Sequence, residues 1–406
     1  MNKDTEIRME TLSGGVATPG GFLAGGVECG VRYSGRRDLG LLFSERGCTA
    51  AAVFTRNVIK GAPLVVTREA VEAGVRAVVV NSGNANAATG EKGLGDAYAM
   101  QALAAEALGI GTSEVAVAST GVIGEHLPMD RIEAGVRDAV GKLGRDGAAF
   151  AEAILTTDTR TKEAAARVEI GGKTVTVGGT AKGSGMIHPN MGTMLAFLTT
   201  DAAVERGCLQ DTLSRITDRT FNRVTVDGDT SPSDLAILLA NGAAGNEPLA
   251  PDSPDYPAFA GAVEGVARTL AKEIARDGEG ATRLVEVIVE GARDERSAAT
   301  LARCVVGSSL VKAAVFGEDA NWGRVLTAMG YSGVPFDPEG VELSFGPVTV
   351  FSGGEPVEHE EAEANAALAA DEVVITARMG EGEAAAVVWG CDLTYEYVKI
   401  NGSYRT

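Results

Sequence analysis

An α/β protein of two units is predicted by three features of this chain. Short β-branched runs alternate with alanine-rich helical stretches along most of the 406 residues, a long helix closed by glycine gives way to a new strand near residue 280, and no segment repeats. The junction divides the chain into residues 1–280 and 281–406. In order, VRAVVVNSG (75–83) reads as a strand entering a turn, AYAMQALAAEALG (97–109) as a helix, and EVAVASTG (114–121) as a strand ending in a tight loop. Met194–Leu198 is an apolar, strand-compatible run behind a glycine-rich loop. AFAGAVEGVARTLAKEIARDG (258–278) predicts a long helix and RLVEVIVEGA (283–292) the strand after it. Beyond these, SAATLARCVVGSSLVKAAVFG predicts a helix, and VELSFGPVTVFSGG and AAVVWGCDLTYEYVKIN predict strands of a second α/β unit. The acidic run EPVEHEEAEANAALAADE (355–372) fits an exposed helix start better than a metal cage.

Composition narrows the function classes. Hydrophobic residues make up 45% and charged residues 22% of the chain, a globular balance. The formal charge of -19 disfavours a nucleic-acid partner or an anionic membrane surface, because the average field repels both. No run approaches the ~20 apolar residues of a membrane span. MNKDTEIRME carries both signs of charge and no apolar core, so a cytoplasmic protein is expected. Five scattered cysteines, Cys29, Cys48, Cys208, Cys304 and Cys391, suit reduced thiols rather than a disulfide framework. Neither H-E-x-x-H nor Cys-x-x-Cys occurs, so no metal site is predicted, and the absence of G-x-S-x-G disfavours a serine hydrolase triad. P-loop and dinucleotide fingerprints are missing too.

Chemistry concentrates in KGSGMIHPNMGTMLAF, residues 182–197. Glycines at 183, 185 and 192 allow backbone shapes closed to other residues, and Thr193 stands between this loop and the apolar run. If the Gly192–Thr193 peptide is strained, the Thr193 hydroxyl can attack the Gly192 carbonyl, and hydrolysis of the ester frees Thr193 as a new N-terminus. One residue then supplies a nucleophilic hydroxyl and an α-amine, with a pKa of roughly 7.7 to 8.0, as its own base. By itself this pattern also suits an ordinary strand threonine.

The same run, followed by LTTDA, resembles the processing motif of the ornithine acetyltransferase family (bifunctional glutamate N-acetyltransferase). GGVATPGGFLAGGV, NSGNANAATG, STGVIGE, TTDT, FNRVTVDGDTS, RDGEGATR, GEDANWGR and the closing YVKINGSYRT are similar to family segments in the same order. His188 and Gly192 stand where alanines are more usual, and SPSD at 231–234 replaces STND. Glycine is compatible with cleavage, and His188 is either a modulator of processing or a tolerated loop residue.

The resemblance implies an αββα sandwich of the ornithine acetyltransferase and D-aminopeptidase type, built from both self-cleaved chains (1–192 and 193–406), with a smaller C-terminal α/β domain whose tail returns to the active site. It implies Thr193 as nucleophile, Thr120 and Gly121 as the oxyanion hole, and Thr156, Lys182, Thr193, Glu279, Asn401 and Thr406 as substrate contacts; Thr157 is the alternative to Thr156. An ammonium at Lys182 suits an α-carboxylate, and Glu279 suits an ornithine ammonium or a leaving amine. The implied reaction passes acetyl from N2-acetyl-L-ornithine through acetyl-threonine to L-glutamate, within arginine biosynthesis and without a cofactor. Acetyl-CoA as a second donor is left open, and a heterotetramer of two N-terminal and two C-terminal chains is implied. The alternatives are an amidase or aminopeptidase on the same scaffold, and a non-enzymatic assembly protein.

Overall fold

The computed structural model describes residues 9–188 and 194–403. Two sheets lie face to face. The larger has the spatial order Glu10–Leu12, Lys162–Ile170, Lys173–Lys182, Leu195–Thr200, Leu235–Ala240, Thr49–Phe54, antiparallel throughout except for the parallel pairing of Leu195–Thr200 with Leu235–Ala240. The smaller runs Phe22–Val27, Leu39–Ser44, Ala77–Asn81, Val115–Ser119. Ala77–Asn81 and Val115–Ser119 are buried at every position. Strands covered on both faces have no reason to alternate, which is why AVVVN reads as a continuous apolar run.

The core between the sheets joins Leu42, Val78, Val80 and Ala118 of the smaller to Ala50, Leu195, Phe197, Ile237 and Leu239 of the larger. Phe150 meets Phe197 edge-on there, 5.3 Å between ring centres. Helices Ala62–Ala73, Gly90–Leu108 and Met129–Val140 cover the smaller sheet; Arg206–Arg219 and Tyr256–Arg276 cover the larger. The result is an αββα sandwich.

A third sheet, of order Glu355–Pro356, Val348–Ser352, Glu342–Phe345, Glu372–Arg378, Leu284–Ala292, Ala384–Cys391, has its own core with helix Glu295–Gly307. Its strand Glu372–Arg378 alternates between buried and more accessible positions, as expected of a sheet packed mainly through one face. Helix Tyr395–Ser403 follows.

Two sequence expectations need correction. The helix expected from residue 97 begins at Gly90, because its first turns carry glycines that lower its apparent propensity. Gly93 is there for space: a Cβ would stand 1.8 Å from Thr89 Oγ1. The single helix expected within 297–317 is two, Glu295–Gly307 and Ser309–Phe316, bent by 58°. Ser308 starts the second by accepting the Val311 N–H, a cap that outweighs the continuous apolar pattern.

Candidate active site

The strand order brings one set of strand ends together. Lys182 and Leu235 both pair with Leu195, on opposite sides, so the loop leaving Lys182 and the segment ending at Met194 start and finish at one edge of the larger sheet. The smaller sheet contributes the end of Val115–Ser119, the long helix Tyr256–Arg276 delivers Asp277 and Glu279, and helix Tyr395–Ser403 brings Tyr397 and Asn401. Thr120, Gly121, Thr156, Lys182, Glu279 and Asn401 line one cleft, together with Thr157, Asp227, Ser231, Ser233 and Tyr397. Gly192, Thr193 and Thr406 lie outside the described residues.

Thr120 and Gly121 follow the strand directly. Gly121 has φ +129, and a Cβ would lie 2.4 Å from the Gly83 carbonyl carbon, so no side chain fits. The Thr120 backbone N–H is spent on the Asn81 carbonyl at 3.1 Å. That leaves its hydroxyl and the Gly121 N–H as the two groups this turn can offer to an oxygen in the cleft.

Lys182 and Glu279 are buried, not solvated. Glu279 accepts from Asn401 Nδ2 at 2.7 Å, which ties the C-terminal helix to the site, and its N–H donates to the Ser184 carbonyl at 3.0 Å. Thr156 donates its N–H to Asp158 Oδ2 at 3.1 Å, and both Thr156 and Thr157 reach the cleft.

Beneath lies a buried charge network that sequence reasoning missed. Lys162 Nζ is 2.8 Å from Asp158 Oδ1 and 2.5 Å from Asp277 Oδ2, and Lys182 Nζ is 3.8 Å from Asp158 Oδ2. Asp158 also accepts the Gly183 N–H at 2.7 Å, and the Ser184 hydroxyl donates to the Asp277 carbonyl at 2.7 Å. Burial alone would raise the Asp158 carboxyl, but the Lys182 and Lys162 ammoniums hold it far below the usual range. Asp158 and Asp277 fall inside TTDT and RDGEGATR, so the segments carried a signal while the pairing did not.

Asp227 fixes the loop from the other side, accepting the N–H groups of Met186 at 2.6 Å and Ile187 at 2.9 Å. Met186 has φ +55, a left-handed conformation costly for a side chain, and these bonds help to hold it. His188 Nδ1 is 3.0 Å from Thr225 Oγ1, which also lies 3.2 Å from the Ile187 carbonyl oxygen. Burial and then Arg303 keep the imidazole below its ordinary value, against Asp227 and Asp229.

Asp234, just before the Leu235 strand, is fully enclosed. Burial drives its carboxyl well above the usual range, and the Thr55 hydroxyl, the Met194 N–H and Lys182 only partly offset this. Its Oδ2 has no hydrogen-bond partner among the described residues.

Other chemistry finds little support. Burial raises every cysteine thiol, Cys48 to about 11, so none is a ready thiolate. Among the described residues no three His, Cys, Asp or Glu side chains are grouped to hold a metal, and no single helix is long and apolar enough to cross a membrane.

Comparison with known proteins gives the family of the chain. The ArgJ family model matches residues 23–406. The arginine biosynthesis bifunctional protein ArgJ of Symbiobacterium thermophilum is 58% identical over 402 residues, 98% of this chain and all of that one. A crystal structure of arginine biosynthesis bifunctional protein ArgJ from Bacillus halodurans is 48% identical with TM-score 0.50, covering 51% of this chain and 98% of that one. Ornithine acetyltransferase from Mycobacterium tuberculosis, solved with ornithine, is 41% identical with TM-score 0.43, covering 45% of this chain and 99% of that one. With a match running from the second strand to the last residue, the chain belongs to the ArgJ family.

Proposed function

We propose that the protein moves an acetyl group from N2-acetyl-L-ornithine to L-glutamate in two steps through an ester on Thr193. Family membership makes it an acyltransferase of arginine biosynthesis; the mechanism is our reading of the site. The observation that carries it is the convergence of six residues from separated segments on one cleft, at the sheet edge where Leu195 is flanked by Lys182 and Leu235. Thr193 directly precedes Met194 in the sequence, which supports this reading.

In the first step the Thr193 hydroxyl attacks the acetyl carbonyl, its own amine takes the proton, and ornithine leaves; in the second, the glutamate amine attacks the ester and leaves as N-acetyl-L-glutamate. The Thr120 hydroxyl and the Gly121 N–H stabilise the oxyanion in both steps. Lys182 receives the α-carboxylate common to both substrates, and Glu279, oriented by Asn401, faces the amine end. Thr156 or Thr157, and Thr406, complete the contacts. Cleavage before Thr193 leaves two pieces each about half of the 406 residues, and the solved Bacillus halodurans chain matches about half of this one. In this reading the two pieces pair again as a heterotetramer in the cytoplasm and the transfer uses no cofactor, with acetyl-CoA left open as a further acetyl donor.

Denaturing electrophoresis and intact mass test this, with N-terminal sequencing of both bands below the full-length chain. A fragment beginning TMLAF, absent from Thr193→Ala, and parallel double-reciprocal lines for the two substrates are the expected results. An uncut chain that still transfers acetyl to glutamate would sink the mechanism, and hydrolysis of acetylornithine indifferent to glutamate would favour an amidase.

A further inference from the structure

Away from the cleft, helices Arg206–Arg219 and Glu295–Gly307 wall a pocket lined by Arg56, Arg215, Arg219, Arg223, Arg296 and Arg303. Among the described residues its acidic lining is Asp218 and Glu295, so six guanidiniums against two carboxylates leave a net of four positive charges there. On a chain of net charge -19 this concentration stands against the average field and needs a local cause.

The internal partners do not use up the arginines. Glu295 is shared: Oε2 receives Arg219 at 2.9 Å and Oε1 receives Arg223. Arg215 is held by the Tyr256 hydroxyl, a neutral partner, and Arg303 donates to the Asn222 carbonyl at 2.5 Å, which neutralises nothing. Arg223 is 9% exposed, and the Nε atoms of Arg223 and Arg303 are buried with no partner among the described residues. Burial, then the neighbouring Arg223, work against the charge on Arg303. Two crowded, part-desolvated guanidiniums with unmet donors are costly unless an anion joins them.

We propose that this pocket is a binding site for a small phosphate-bearing anion. Phosphate oxygens accept the parallel N–H pairs of guanidinium groups, and a group with two phosphates carries charge comparable to the local excess. The accessible Arg56 and Arg296 meet the ligand first, and Arg223 and Arg303 form the floor. The site also touches the cleft's supports: Asn222 and Arg223 line the pocket, Thr225 holds His188, and Asp227 holds Met186 and Ile187. Occupancy at one end of this short segment therefore bears on the loop before Thr193.

The test is calorimetric titration of the full-length protein, as purified, with inorganic pyrophosphate and separately with ADP, at low salt where guanidinium–phosphate attraction is least screened. Saturable binding of at least one probe, one per chain, is expected, weakened ~10-fold or more in the exposed double variant Arg56→Ala/Arg296→Ala. That variant leaves the buried arginines in place, and its melting temperature checks that it folds. Tighter binding of pyrophosphate points to a free phosphate compound, and tighter binding of ADP to a nucleotide. No saturable binding of either probe, unchanged affinity in the folded double variant, or a change in assembly state without binding would each overturn the site.

Discussion

Asp158 and Asp234 lie on either side of the segment that carries Thr193, both buried and both influenced by Lys182, yet they are driven in opposite directions. Asp158 has two ammoniums and two backbone N–H groups and stays ionised. Asp234 has Lys182 only as a partial offset, and one oxygen is left without a partner among the described residues, so burial prevails. Burial alone does not set the ionisation of a carboxyl; the number and sign of its partners do. The two sides then do different work. The Asp158 side is a fixed charge lattice beneath Lys182 and the Gly183–Ser184 backbone, whereas the Asp234 side is a carboxyl beside Met194 whose charge is opposed by burial.

The largest effect should come from breaking the lattice. Lys162→Met leaves Asp158 and Asp277 without their shared counter-ion, and a loss of about 3–5 kcal/mol is expected in urea unfolding; a loss below 1 kcal/mol would mean that the carboxylates find other partners. Thr120→Ala separates catalysis from this scaffold. It should lower kcat by about 10²–10³-fold through the lost oxyanion donor while the melting temperature stays within a few degrees, and equal losses in rate and stability would assign the residue to packing.

The smallest and most discriminating effect is in the pH dependence of two amide substitutions. Asp158 is depressed in the folded state, so its stabilisation is present above the unfolded value of about 3.9 and is lost as pH falls towards the folded one. Asp158→Asn should therefore be destabilising at neutral pH, with a gap that narrows in acid. Asp234 is raised, so its contribution is fully present below about 3.9 and is lost as pH rises through its folded value. Asp234→Asn should accordingly gain on the parent as pH rises from 4 to 8. Melting temperatures from about pH 2 to 8 decide it, the acid half for Asp158→Asn and the upper half for Asp234→Asn, and a parallel response of the two variants would remove the distinction.

Much of the fold was legible in the chain because both-face burial and one-face burial leave different patterns. The runs at 75–83, 114–121 and 283–292 appear as strands Ala77–Asn81, Val115–Ser119 and Leu284–Ala292, and the helix expected at 258–278 as Tyr256–Arg276. Caps were less legible, since Ser308 splits one apolar pattern into two helices by a single side-chain bond. The site was legible as segments, through motif resemblance, but Lys182 and Glu279 would have passed for solvated residues, and nothing local marked Asp158, Lys162 and Asp277 as partners.

By itself the sequence determined the α/β class and the family, because hydrophobic period and motif order are local properties of a chain. The tertiary structure decided which charges face each other. Asp158 and Asp277 are more than a hundred residues apart, and Arg56 is still farther from Arg303. Only the packing of strands and helices sets the distances and the burial on which paired or unpaired charge depends.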